Sequence, residues 1–128
     1  MKSHTDLPQS KKLAKFLPLE SANMYYQYVL PKSDKIKHNP EIGNPVNALK
    51  WYNKGYTTSG KEPITLDEYC VPCWSLAALL EVLPSVSLDS SDNHRYRLYC
   101  KERFSDWYEN AIDACYELIL KLHELKML

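Results

Sequence analysis

The sequence predicts an α+β fold: a two-layer domain in which a small antiparallel sheet of about three to four strands packs against helices. Three observations predict it. Residues 110–125 place apolar side chains at steps of three and four, the mark of an amphipathic helix. Residues 85–108 instead alternate, the mark of half-buried strands. The connections there are short, so the strands are expected to be antiparallel neighbours. With the apolar run 72–83 read as one more helix, the C-terminal half becomes helix–strand–strand–strand–helix, and both helices have an apolar face to lay on one sheet.

The elements follow in order. Asp6-Leu7-Pro8 opens a first helix, because Asp6 can cap free N–H groups and proline is tolerated in a first turn. Leu13, Phe16 and Leu17 form its apolar face, and Pro18 ends it. "NMYYQYVL" alternates as a strand, with Met24, Tyr26, Tyr28 and Leu30 on one face and Tyr25, Gln27 and Val29 on the other. This strand is a candidate to extend the sheet. Residues 31–45, rich in Pro and Lys, predict a long mobile surface loop.

In "NPVNALKWYNKG" Asn44 caps a helix, Pro45 takes its first position and Gly55 ends it. A turn or weak hairpin is expected around Ser59-Gly60. Thr65-Leu66-Asp67-Glu68 matches a capping box and predicts a turn of helix. Pro72–Leu83 predicts the central helix, apolar on nearly every side and therefore buried on most of them. Val86 and Leu88 are expected to point inward, with a polar turn at Asp89–Asn93. Tyr96, Leu98 and Cys100 then share one face and Arg95, Arg97 and Tyr99 the other. A short turn at Lys101–Arg103 leads to a third strand, "FSDWY". Asn110 caps the last helix; Ala111, Ala114, Cys115, Leu118, Ile119, Leu122 and Leu125 line its inner face, and Glu117 with Lys121 makes an i,i+4 pair outside.

A chain of 128 residues suits one domain, here 1–128, and can bury a core without a metal or disulfide staple. The formal net charge is zero, yet it is unevenly spread. Residues 1–61 hold ten Lys against four Asp/Glu, a net +6, and residues 62–128 six Lys/Arg against twelve Asp/Glu, a net −6. Complementary packing of the two portions explains this, and so does a basic surface that meets nucleic acid or an acidic partner. "MKSHTDLPQS" has no apolar core of a secretory signal, and no stretch approaches the ~20 apolar residues that span a bilayer. The reading is cytoplasmic, with four free thiols and no membrane association.

The segments "PCWSLAALLEVLP" and "FSDWYENAIDACYELILKLHEL" resemble those of small uncharacterised proteins, a family of unknown function in gut-bacterial genomes and prophages. "LPLESANMYYQYV" and "NALKWYNKGYT" share the likeness, which covers most of the chain. It lies in apolar framework segments rather than in a catalytic signature. It implies a cytosolic bacterial or phage-encoded protein and carries over no site residues, activity or cofactor.

The one spacing with chemical character is Cys70-Val71-Pro72-Cys73. A C-x-x-C pair at a helix start favours a reactive thiolate, but a thioredoxin-like site needs a buried strand before it, and "SGKEPITLDEY" is polar. A zinc site needs about four ligands, and Cys70 and Cys73 form only one knuckle; Cys100, Cys115, His94 and His123 are scattered. Packed small hydrophobes at a helix entrance remain the simpler reading. Glycines are three and isolated, so no phosphate-cradling loop exists, and no nucleophile elbow appears.

Two binding classes lead, and an enzyme or zinc-stabilised domain using Cys70 and Cys73 stands as a third reading. The first is a non-enzymatic protein-interaction or adaptor module, with an unidentified protein or a second copy as partner; ten Tyr and three Trp suit interfaces. The second is a nucleic-acid-binding module. The helix–strand–strand–strand–helix order resembles double-stranded RNA-binding domains, and Arg95, Arg97, Tyr99 and Lys101 would line a basic, aromatic sheet face. At the start of the last helix, where those domains are basic, this chain reads "ENAIDACYE".

Overall fold

The computed structural model describes residues 2–91 and 93–128. Among these residues it contains five α-helices and two three-stranded antiparallel sheets, an α+β fold. They form two compact units: Asp6–Trp74, and Ser75–Leu128 together with residues 2–5.

In the unit Asp6–Trp74, helix α1 (Leu7–Leu13) starts at Asp6, which accepts from the Gln9 N–H while Gln9 accepts in return. It ends at Leu13, well before Pro18, and Leu13 and Leu17 are buried. Strand β1 (Met24–Gln27) lies between β2 (Glu41–Ile42) and β3 (Cys70–Cys73). The segment expected as a mobile loop runs back along β1: Tyr28 bridges Ile36, and the Lys37 N–H donates to Gln27. Helix α2 (Pro45–Thr58) begins at Asn44, whose side chain accepts from the Val46 and Asn47 N–H groups. The short helix α3 (Leu66–Tyr69) opens on the Thr65–Glu68 capping box.

The alternation of "MYYQ" decides how this unit packs. Tyr26 is buried with Val71 and Cys73, joined by Met24, Tyr28, Ile36 and Leu7 of α1. Cys70 is buried with Ile64 and Tyr69 on the opposite side, joined by Tyr25 and by Ala48, Leu49, Tyr52 and Tyr56 of α2. The sheet is thus covered on both faces. Trp74 is fully buried, and its indole N–H donates to Ser21 Oγ at 2.9 Å.

In the second unit, helix α4 (Leu76–Val82) precedes β4 (Ser87–Ser90), β5 (Tyr96–Cys100), β6 (Arg103–Phe104) and helix α5 (Ala111–Glu124). The sheet order is β4-β5-β6. Leu98 and Cys100 are fully buried, as are Cys115, Leu118, Ile119 and Leu122 of α5, which packs along β5. The Asn110 side chain accepts from the Asp113 N–H at 2.8 Å, and Asp113 pairs with Lys2 at 2.7 Å.

Several expectations change. The central helix does not begin at Pro72: residues 70–73 are a strand, and the helix covers only Leu76–Val82. Ser75, which falls within the expected helix span, is instead its cap and accepts from the Ala78 N–H. Proline is tolerated at position 72 because β3 is an edge strand. Helix α2 passes Gly55 and ends at Thr58, for Thr57 and Thr58 bond back to the carbonyls of Asn53 and Lys54, and the left-handed glycine is Gly60. Strand β1 joins its own sheet rather than extending β4-β5-β6. Asp89 and Ser90 belong to β4, so the polar turn is shorter than expected, and Asp92 lies outside the described residues. Leu88 lies on the edge strand and is exposed rather than inward. Leu125, beyond the end of α5, is also exposed.

The charge contrast depends on where the chain is divided. Asp6–Trp74 holds nine Lys against seven Asp/Glu, a net +2; the remainder holds seven Lys/Arg against nine Asp/Glu, a net −2. Neither unit as a whole is strongly charged.

Candidate functional site

The outer face of β4-β5-β6, away from Leu98 and Cys100, concentrates aromatic and cationic side chains. Strand alternation puts Arg97 and Tyr99 there, and the register sets Asp89 opposite Arg97 and Phe104 opposite Tyr99. The β5–β6 connection is a two-residue turn, Lys101-Glu102, with both residues left-handed at φ 50° and 63°. No glycine or asparagine announces it in the sequence.

Trp107 reaches this face because of a bulge. Tyr99 pairs with Phe104 and Tyr96 with Tyr108, so three steps on β5 face four steps on the returning chain. One residue is extra. In unbroken register Trp107 would oppose Tyr96 and point to the buried side. The extra residue moves it opposite Arg97. Ser105 holds the irregular stretch: its N–H donates to the Leu98 carbonyl, its Oγ accepts from the Leu98 N–H, and its hydroxyl donates to Asp106, each at 2.9 Å. The Asp106 N–H donates to Glu117 of α5, and Lys121 donates to the Phe104 carbonyl. The expected Glu117–Lys121 pair thus gives way to two bonds that fasten this segment to the helix.

The result is a stacked cluster. The Arg97 guanidinium carbon lies 4.3 Å from the Phe104 ring centre and 4.6 Å from that of Trp107. Tyr99 and Phe104 are 4.6 Å apart, inclined at 42°. Asp89 accepts from Arg97 at 3.3 Å. Arg97 Nε is buried with no hydrogen-bond partner, so ring faces supply most of what this end of the guanidinium touches. Phe104 and Trp107 stay 46% and 38% exposed.

The other residues singled out from sequence are placed differently. Arg95 is exposed at the entry to β5. Lys101 donates to the Met127 carbonyl. Cys70 and Cys73 stand three positions apart on one strand, so their side chains leave by opposite faces and enter separate clusters. The structure does not bring them together. Burial, followed by the nearby Asp67 charge, pushes the Cys70 thiol up to about 12. The Cys73 thiol and the Tyr26 hydroxyl share a hydrogen bond. Burial alone raises Cys115 to about 12, and Cys100 bonds the Pro84 carbonyl at 3.0 Å. Among the described residues no three His, Cys, Asp or Glu side chains gather as a metal-ligand set, and no helix is long and apolar enough to cross a membrane.

Sequence reasoning found Arg97 and Tyr99 but missed Asp89, Phe104 and Trp107. The available signal was the pair of aromatics three apart in "FSDWY", a spacing that strand alternation alone assigns to opposite faces. No family model matches the chain, and neither does a curated protein or a solved structure.

Proposed function

We propose that the chain is a non-enzymatic protein-interaction or adaptor module of a bacterial or phage cytoplasm, with the Arg97–Phe104–Trp107 face as its contact surface. The observation that carries this reading is the cluster itself: a guanidinium lying over two partly exposed rings and paired with Asp89. Trp, Tyr and Arg dominate the energetics of protein interfaces. Side chains already ordered in the free protein lose little freedom on binding. The cations argue for protein over a phosphate backbone. Arg97 is engaged with Asp89 and Lys101 with Met127, which leaves Arg95 as the one cation of the set whose charge is not engaged among the described residues.

Photo-crosslinking tests the reading. A benzoylphenylalanine placed at Trp107 should give a discrete protein adduct in bacterial cells, while the same group at exposed Glu62 should not. An adduct of twice the chain's mass would make the partner a second copy. No adduct from position 107, or the same adducts from both positions, would overturn the assignment of this face.

A further inference from the structure

Helix α2 has two unlike sides. Ala48, Leu49, Tyr52 and Tyr56 pack on the Cys70 side of the sheet. Asn47, Lys50, Trp51, Lys54 and Thr58 are exposed and recur at steps of three and four, so they form one outer stripe. Trp51 is 74% exposed. A Trp left so far in water contributes little to the fold, since its large apolar surface is not removed from solvent. The helix holds no Asp or Glu at all. Lys54 Nζ lies 5.3 Å from the Trp51 ring centre, and Lys50, Trp51 and Lys54 border a groove of about 240 Å³. Neither lysine has an acidic partner among the described residues.

We propose that the Lys50–Trp51–Lys54 stripe of α2 binds single-stranded nucleic acid, with Trp51 stacking on a base and the two ammonium groups holding flanking phosphates. Charge selects an anionic partner, because the stripe is basic and carries no opposing acid. The flat, largely exposed ring selects one with planar groups, and bases of a single strand are free to stack where those of a duplex are not. Lys50 and Lys54 are separated along the helix axis by about 6 Å, a span comparable to that between neighbouring phosphates. A membrane surface fits less well, because an interfacial helix needs a continuous apolar face and Trp51 is the one large apolar residue of this stripe. The inference is independent of the sheet-face reading.

The test is anisotropy of a fluorescein-labelled short dT oligonucleotide with the full chain at low salt. Saturable binding is expected, weakening as salt rises with a log–log slope of roughly −1.4, as two phosphate contacts give on a single strand. Trp51→Ala and the Lys50→Glu, Lys54→Glu pair should each weaken it roughly tenfold or more. Trp107→Phe should leave it unchanged and keep the intrinsic fluorescence quenched by dT. All these positions are exposed, and far-ultraviolet circular dichroism verifies that each variant is folded. Absence of binding at low salt, undiminished binding by Trp51→Ala, or tighter binding to phosphatidylserine vesicles or to polyglutamate than to dT would overturn the proposal.

Discussion

The Arg97 guanidinium lies 4.6 Å from the Trp107 ring only because the chain that returns beside β5 carries one residue more than β5 does. A backbone irregularity thus decides which side chains meet on the outer face. Replacing Arg97 by Met and Trp107 by Ala, singly and together, should show a coupling of about 0.5–1 kcal/mol in urea unfolding. Additive losses would mean that the stack is a geometric coincidence without energy.

Ser105 makes a sharper case. It is buried and supplies both an acceptor to the Leu98 N–H and a donor to the Asp106 carbonyl. Ser105→Ala leaves a buried N–H with one partner fewer and frees the bulge. We expect a loss of about 1–3 kcal/mol, read from the urea midpoint. Ser75→Ala removes the cap of α4 and should cost about 1 kcal/mol.

The Lys101-Glu102 turn offers the opposite sign. Both residues sit at left-handed φ, where a side chain costs roughly 1 kcal/mol and glycine costs none. Glu102→Gly should therefore raise stability by about 0.5 kcal/mol after the added freedom of the unfolded chain is counted. A fall in melting temperature would contradict the turn geometry.

The buried thiols predict an alkaline limb. Cys70 and Cys115 titrate near 9 when unfolded and are pushed up to about 12 in the fold. Between those values the unfolded chain loses protons that the native chain keeps, so stability falls as pH rises, by at most about 1.4 kcal/mol per pH unit for each thiol. The urea midpoint should drop from pH 9 to 11, less steeply in Cys70→Ala. Below pH 8 these thiols should leave it flat. Under mild oxidation of the native protein, Cys70 and Cys73 should not form a disulfide, since they leave opposite faces of β3.

What was legible in the sequence is what each local pattern states by itself. The α5 stripe from Ala114 to Leu122, the alternation of β1 over Met24–Gln27 and the caps Asp6, Asn44, Thr65 and Asn110 stand as read, whereas Ile112 joins the stripe and Leu125 leaves it. The misreading at 70–75 has a physical cause: a strand covered on both faces and the buried helix after it make one apolar run, and periodicity cannot part them. For that reason the sequence alone reads the cysteines as a helix entrance and places the cap Ser75 inside the expected helix. The bulge was hidden for another reason. An extra residue is defined by the partner strand, and no local signal in "FSDWY" records it.

Affinity capture from a bacterial extract, comparing Phe104→Ser, Trp107→Ser with Trp51→Ser and with the unaltered chain, tests the central claim most directly. The account predicts a nuclease-resistant protein partner that the sheet-face variant loses and the Trp51 variant keeps. Equal recovery of that partner by the sheet-face variant and the unaltered chain would contradict it.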